Sequence, residues 1–250
     1  MKFFSFLFLI IFTGFNVFAQ DYAALIKEAD RLEAIPDEKA AFLKFKEALK
    51  LQPTSLYALA KCSELCCRVG GREKSTKVRD DYYATAQVYA KTALKLYPNS
   101  DEANVAMAFS IAKTLMLKSG KDKITAVKEL KSYGDKAVIH NPRNFKAWHV
   151  LGKWNYEVSS LNAIERTAVK VIYGGLPPAS LKNSIMYYEK AKSLAPNFTL
   201  NYLELAKAYN KNDEKAKAIS LLNYLLAIKN QTEDDPRIKA EAQGLIAKWK

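Results

Sequence analysis

The sequence contains few of the residues from which enzymes and metal proteins build their sites. Two histidines, His140 and His149, and three cysteines occur in 250 residues. There is no H-E-x-x-H metal motif, no G-x-S-x-G nucleophile motif and no phosphate-binding glycine loop. We expect His140, which precedes Asn141-Pro142, to end a helix rather than to take part in catalysis. The sequence therefore predicts no catalytic residues, no metal site and no cofactor.

Long apolar stretches are also missing, with one exception at the start of the chain. Residues 1–19 contain one basic residue, Lys2, then an apolar stretch from Phe3 to about Val17, and end at Ala19. This layout is typical of a secretory signal peptide. The stretch is shorter than the ~20 apolar residues that span a bilayer, and a retained membrane anchor is the alternative. We expect residues 20–250 to be exported to the periplasm or cell envelope without a transmembrane segment.

Basic residues outnumber acidic ones, 39 to 26, which gives a formal net charge of +13. Such a charge favours acidic proteins, anionic lipid surfaces or nucleic acids as partners through long-range attraction. A solvated, lysine-rich helical surface is the simpler explanation. Nucleic acid is an unlikely partner because the lysines are dispersed and because export is expected.

Four prolines each separate one helical pattern from the next. They lie in the similar segments LKLQPTS, LKLYPNS, VIHNPRN and KSLAPNF, at intervals of 45, 44 and 54 residues. Small residues recur 12, 8 and 5 positions before each proline. These positions hold Ala41, Phe45 and Ala48; Ala86, Ala90 and Ala93; Leu130, Gly134 and Ala137; and Ser184, Tyr188 and Ala191. Small side chains let helices approach closely, and each proline would end the second helix of a pair.

The residues 6, 9, 10 and 13 positions after each proline are also similar from one repeat to the next. They hold Leu59, Cys62, Ser63 and Cys66; Asn104, Met107, Ala108 and Ile111; Trp148, Leu151, Gly152 and Asn155; and Tyr202, Leu205, Ala206 and Tyr209. The third set has the form W-x-x-L-G and the fourth Y-x-x-L-A-x-x-Y. Over about residues 21–228 the chain thus resembles the tetratricopeptide repeat. Because Cys62 and Cys66 fall in these columns, we expect them to be small core residues rather than metal or redox groups.

The resemblance implies an all-α superhelix, or solenoid, of about five helix pairs. The repeats are expected at about 22–55, 56–100, 101–144, 145–198 and 199–232. Asp235-Pro236 and the apolar residues after it predict a C-terminal cap helix over 235–249. Three repeats exceed the standard length because their intra-repeat turns are enlarged at about 67–79, 114–124 and 159–178. The first insertion is either an exposed loop or a pair of helix extensions joined at Gly70-Gly71.

A narrower resemblance is carried by residues 147–198, with the LGKW element, the long insertion and the P-P-A-S entry to the next helix. This segment, and more weakly the chain back to about residue 101, looks like the regulator of microtubule dynamics family. Members of that family are non-enzymatic binding proteins linked with microtubules and organelle membranes. The resemblance therefore implies a binding role.

Tetratricopeptide superhelices bind partners along a concave groove lined by the first helix of each pair, and the resemblance implies the same here. The candidate groove residues are Val105, Phe109, Lys146, His149, Lys153, Tyr156, Leu203, Lys207 and Lys211. Their lysines suit an acidic or carboxylate-bearing peptide, and their aromatic rings suit apolar contacts. The alternative is that these side chains pack on neighbouring helices or face water.

The sequence thus predicts a non-enzymatic, exported scaffold that binds a protein or peptide partner in its concave groove. A lipid-binding or amphiphile-binding protein of the cell envelope is the alternative, favoured by the apolar groove columns and the net charge.

Overall fold

The computed structural model describes residues 20–249, which form twelve α-helices and one 3₁₀ turn and include no strand. Helices α1 to α12 span 20–34, Glu38–Leu51, Leu56–Arg72, Thr76–Leu96, Asp101–Thr114, Gly120–His140, Phe145–Ser159, Ala163–Tyr173, Leu181–Leu194, Thr199–Lys211, Lys215–Ala227 and Asp235–Trp249. The 3₁₀ turn, Leu115–Leu117, joins α5 to α6. The predicted signal peptide, residues 1–19, lies outside the described residues.

Most helices pack as antiparallel pairs: α1 with α2, α3 with α4, α5 with α6, α7 with α9, and α10 with α11. The last helix, α12, packs on α10 and α11, where Ile238, Ala242, Ile246 and Trp249 join their core. The prediction of five helix pairs followed by a cap helix is therefore confirmed. Among residues 20–249, no helix combines the length and apolar character that crossing a bilayer requires.

The four prolines act at the repeat boundaries as the sequence predicts. Helices α2, α4, α6 and α9 each end two residues before a proline, because the residue that precedes a proline is disfavoured in helical conformation. At each end the first non-helical residue donates its backbone N–H to the carbonyl of an alanine four residues earlier. These alanines, Ala48, Ala93, Ala137 and Ala191, are fully buried. The alanine five positions before each proline thus accepts the hydrogen bond that ends the helix and also lies at the close contact between helices.

Close helix crossing is clearest between α7 and α9. Tyr188 of α9 is fully buried, and its ring lies directly over Gly152 of α7. A Cβ atom at Gly152 would lie 2.7 Å from a carbon of that ring, closer than real carbon atoms approach. The hydroxyl of Ser184 also donates to the carbonyl of Gly152, at 2.8 Å. The small residue at this position is therefore a requirement of packing.

The first enlarged turn consists of helix extensions. Helix α3 continues through Gly70-Gly71 to Arg72, and the turn falls later, at residues 73–75, where the Ser75 side chain caps α4. The glycine pair is therefore not the junction that the sequence suggested. Gly70 instead lets the two helices cross, since a Cβ there would lie 2.8 Å from Cβ of Tyr82.

The third enlarged turn contains a helix, α8, that is not predicted from the sequence. Asn162 begins it with a capping box: its side chain accepts from the N–H of Glu165, whose carboxylate accepts from the N–H of Asn162. Gly174 ends it in the left-handed conformation, with φ of 73°. No residue of α8 is buried.

Candidate functional site

The first helices of the pairs line the inner face of the superhelix, and two adjoining cavities lie along that face. The smaller cavity, about 80 Å³, lies between α3 and α5, and the larger, about 460 Å³, continues past α7 to the start of α10 and α12. Glu64 and Lys146 line both. We call the two cavities together the central groove. Its apolar lining includes Val105, Phe109, Phe145, Phe198, Leu200 and Ile238.

The nine predicted groove residues fall into three places. Val105, Phe109 and Lys146 line the central groove. Lys153, Tyr156, Lys207 and Lys211 form a second group farther along α7 and α10. In that group Tyr156 lies between two cations, with Nζ of Lys153 and Lys211 at 5.7 and 5.2 Å from its ring centre.

The remaining two predicted residues, His149 and Leu203, are buried in the core and do not reach the groove surface. His149 Nδ1–H donates to Oδ1 of Asn201 at 3.0 Å, while the amide nitrogen of Asn201 donates to the carbonyl of Tyr188. Burial lowers the pKa of His149 because the charged imidazolium would be poorly solvated. His149 is thus a structural link between α7, α9 and α10.

Lys146 is paired with a carboxylate inside the groove. Its ammonium contacts Glu64 of α3, which also lies 3.5 Å from Arg68. Burial alone would raise the pKa of Glu64, but Lys146, Arg68 and Lys61 outweigh it and lower that pKa to about 2. The lysine at the centre of the groove is therefore already neutralised by the chain itself.

The second group of lysines is paired in the same way. Glu204 of α10, whose side chain is 8% exposed, accepts from Lys153 at 2.7 Å and from Lys207 at 2.9 Å. Lys153 also contacts Glu157, and Lys207 contacts Glu241 of the cap helix. Despite opposing desolvation, these contacts lower the pKa of Glu204 and raise that of Lys153 and of Lys207. The predicted basic groove is thus a surface of alternating, mutually compensating charges.

Contacts between the two ends of the described chain close the groove on one side. Glu38, the first residue of α2, is fully buried and contacts both Arg68 and Arg72. Its backbone N–H donates to the carboxylate of Glu233 at 2.7 Å, and Arg72 lies 3.2 Å from the same carboxylate. Arg72 also lies 3.5 Å from Asp234. The first two repeats are therefore tied to the segment that precedes the cap helix.

None of the residues of this charge network is predicted from the sequence as a site residue. They are Glu33, Glu38, Lys61, Glu64, Arg68, Arg72, Glu233 and Asp234. One signal is available: Glu64, Arg68 and Arg72 recur at four-residue intervals, which places them on one face of α3. Their partners in α1, α2 and the segment before α12 depend on how the superhelix curves.

Cys62 and Cys66 occupy the core positions predicted for them, and Cys67 is buried next to them. Cys62, Cys66 and Cys67 have free thiols and are at most 3% exposed. Burial raises the pKa of Cys62 and of Cys67 to about 12, so these thiols are protonated and poorly reactive at neutral pH. In the described part of the chain, no three His, Cys, Asp or Glu side chains are grouped as a metal site requires.

The fold defines the class of the protein as a tetratricopeptide-type α-α superhelix. A thermophilic tetratricopeptide protein of Thermus thermophilus has a TM-score of 0.63 and 15% identity, covering 89% of this chain and 98% of its own. Yeast Tom70 has a TM-score of 0.53 and 11% identity, covering 90% of this chain and 40% of its own. Likenesses at such identity concern the fold alone.

The family is defined by sequence. The pattern of the family described as Regulator of microtubule dynamics protein 1-3 matches residues 25–250, and the chain belongs to this family. The mouse Regulator of microtubule dynamics protein 1 is 30% identical over 159 residues, which cover 63% of this chain and 52% of that protein. The bovine protein is 29% identical over 192 residues (76% and 60%), and that of Caenorhabditis elegans is 24% identical over 187 residues (75% and 80%). The chain thus matches little more than half the length of the two mammalian relatives.

These comparisons overturn the predicted location. The relatives are animal proteins named for microtubule dynamics, so the expectation of an exported periplasmic or cell-envelope protein is wrong. That expectation rested on the composition of residues 1–19. A short apolar stretch after one basic residue fits a signal peptide, but the composition of so short a segment does not determine the compartment of the protein.

Proposed function

We propose that the chain is a non-enzymatic scaffold whose central groove binds an extended segment of a protein partner. The repeats predicted over 22–232, together with the cap helix, form the binding unit. The observation that supports this most directly is the enclosure of the groove: α3, α5 and α7 form its floor, and the contact of Arg72 with Glu233 closes one side. A narrow groove that is closed on one side suits an extended peptide better than a folded domain.

The lining indicates which side chains the partner segment would carry. Phe109, Phe145 and Phe198 offer apolar contacts, and paired charges of both signs lie between them. Because Lys146, Lys153 and Lys207 already contact carboxylates, the case for a strictly acidic peptide is weak. A segment with apolar anchors and charges of both signs fits better, since it could exchange ion pairs with the wall. The names of the relatives suggest a partner connected with microtubule dynamics.

Site-specific photocrosslinking tests the proposal. A photoreactive amino acid at Ala60, which lines the smaller cavity, should crosslink to one defined segment of a partner protein in cells. The same amino acid at Ala84, an exposed position on the second helix of that pair, should not. A synthetic peptide of the captured segment should bind the purified chain.

The matched variants Ala60→Arg and Ala84→Arg complete the test. Ala60→Arg fills the cavity between α3 and α5 and should weaken peptide binding at least about tenfold, whereas Ala84→Arg should leave it unchanged. Equal binding by wild type and Ala60→Arg would refute a groove site. Crosslinks from position 84 to the same segment would move the binding surface to the outer face.

A further inference from the structure

Helix α8 has an apolar face that nothing in residues 20–249 covers. Ile164 is 82% exposed, Val171 78% and Ile172 64%. Together with Thr167 and Ala168 they form a continuous strip on one side of the helix. Burying a large aliphatic side chain is worth roughly 1.5–3 kcal/mol, so three such side chains in water are an unusual feature of a helix surface.

The opposite side of α8 is fixed to the repeats by polar contacts. Arg166 donates to the backbone carbonyls of Ser159, at 3.4 Å, and Leu161, at 3.1 Å. At the other end, Lys128 of α6 donates to the carbonyl of Tyr173 at 3.1 Å. The capping box at Asn162 and the left-handed Gly174 define both ends of the helix. The apolar strip is therefore held outward on a well-defined element.

Basic residues are concentrated next to this strip, on α8 itself and at the start of α6. The start of α6 lies beside the end of α8, since a Cβ at Gly120 would lie 3.4 Å from the hydroxyl of Tyr173. Residues 118–128 and 162–173 together contain six basic side chains and two acidic ones. The basic ones are Lys118, Lys121, Lys123, Lys128, Arg166 and Lys170. Lys128 and Arg166 make the backbone contacts that hold α8 in place, whereas Lys121, Lys123 and Lys170 are exposed. None of the six forms an ion pair with another residue in the described range, in contrast to Lys146, Lys153 and Lys207 of the groove face.

The apolar strip together with the basic residues next to it indicates whether a second copy of the chain or a lipid surface covers α8. Two copies that met through α8 would bring like charges together, which costs free energy at low dielectric. A helix with an aliphatic face and basic flanks matches an anionic bilayer, where the apolar side chains enter the interface and the cations meet headgroups. We propose that α8 and the adjoining start of α6 form a docking surface for anionic membranes. This surface is separate from the groove of the proposed function.

A position-specific fluorescent probe tests this in the full-length chain. The native cysteines are buried, so an environment-sensitive dye can be placed selectively on Ile164→Cys or, as the matched control, on Ile139→Cys, which is 75% exposed on α6. With phosphatidylcholine vesicles containing phosphatidylglycerol, the dye at 164 should shift to shorter wavelength and be quenched by lipid-borne quenchers. The dye at 139 should not change. Because each probe reports on its own position, attachment through another segment does not imitate the result.

Charge variants sharpen the test. Lys121→Gln/Lys123→Gln should weaken vesicle-dependent burial of the dye at 164 about thirtyfold. The control Lys46→Gln/Lys50→Gln, with two exposed lysines on α2, should leave it unchanged. Three results would overturn the proposal: no shift at 164, an equal shift at 139, or a shift without vesicles that grows with protein concentration. The last would identify a second copy as the occupant.

Discussion

Helices α8 and α9 follow α7 in the same repeat, yet they relate to the core in opposite ways. Helix α9 buries Ser184, Tyr188 and Ala191, whereas α8 buries no residue at all. The apolar residues are nonetheless more sharply segregated to one side in α8 than in α9. Amphipathic periodicity predicts that a helix has a face to cover, but it does not predict that the same chain covers it.

The difference lies in the size of the residues at the contact. Helix α9 meets α7 at Gly152, where the absent side chain admits the ring of Tyr188. Helix α8 has β-branched residues on its outer face and polar contacts on its inner one. Close approach in this superhelix therefore depends on small residues at fixed columns, and an inserted helix without them remains at the surface.

The largest expected effect on the free energy of unfolding distinguishes an isoleucine in the core from one on the exposed face of α8. Ile111 of α5 is 1% exposed and Ile164 of α8 is 82% exposed. Ile111→Ala should lower the free energy of unfolding by about 3 kcal/mol, because it removes buried methyl groups and leaves a cavity. Ile164→Ala should change it by less than about 0.5 kcal/mol. Urea unfolding followed by circular dichroism measures both, and a comparable loss for Ile164→Ala would show that α8 is packed in solution.

A second comparison concerns two arginines, one that joins distant segments of the chain and one that makes only a local contact. Arg72 joins Glu38 to Glu233, whereas Arg79 contacts the adjacent Asp80. Arg72→Met should cost about 2 kcal/mol, since Glu38 is fully buried and keeps only Arg68 as a cationic partner. The groove should also open, which would increase the radius of gyration in small-angle X-ray scattering. Arg79→Met is the control and should change neither quantity, while an unaltered Arg72→Met would mean that the contact does not hold the groove closed.

The repeat body could be predicted from the sequence because its determinants are local. A proline fixes a helix end, and small residues at constant distances before it mark where helices cross. The same columns place Cys62 and Cys66 in the core, where the structure has them. Helix α8 also has local signals, the Asn162 and Glu165 capping box and the spacing of Ile164, Ala168 and Val171. Because these signals lie outside the repeat columns, the repeat pattern alone assigns the segment to an enlarged turn.

The charge network could not be predicted in this way. Glu38 and Glu233 are separated by 195 positions, and their contact depends on the accumulated curvature of five repeats. Likewise, the sequence places the groove lysines on first helices. Lys153 and Lys207 each have one partner in their own helix, Glu157 and Glu204, but the pairs that join different repeats are not visible in the sequence. Glu204 pairs with Lys153, 51 positions earlier, and Glu64 with Lys146, 82 positions later. Spacing within one repeat carries no information about these pairs.

The pairing inside the groove predicts a dependence of stability on pH. Because the pKa of Glu64 in the folded chain is about 2, below its ordinary value of 4.5, ionised Glu64 stabilises the fold above pH 4.5. That contribution, on the order of 2 kcal/mol, is lost as the pH falls from about 5 to 2. In Glu64→Gln the decline of stability over this range should be smaller, whereas the exposed-pair control Glu28→Gln should follow the wild type. Identical pH profiles for wild type and Glu64→Gln would remove the argument that the groove lysines are neutralised by this carboxylate.

The smallest effect distinguishes two glycines in helices. A Cβ at Gly152 would press on the ring of Tyr188, whereas a Cβ at Gly244 of α12 would meet nothing within 4 Å. Alanine is the better helix former by roughly 1 kcal/mol, so Gly244→Ala should raise the free energy of unfolding by about 0.5–1 kcal/mol. At Gly152 overpacking exceeds that gain, and Gly152→Ala should lower the free energy of unfolding by about 1 kcal/mol. Thermal unfolding measures both changes in stability, and changes of opposite sign would show that the α7–α9 crossing tolerates no side chain at position 152. A stabilising Gly152→Ala would show instead that the ring of Tyr188 can move aside.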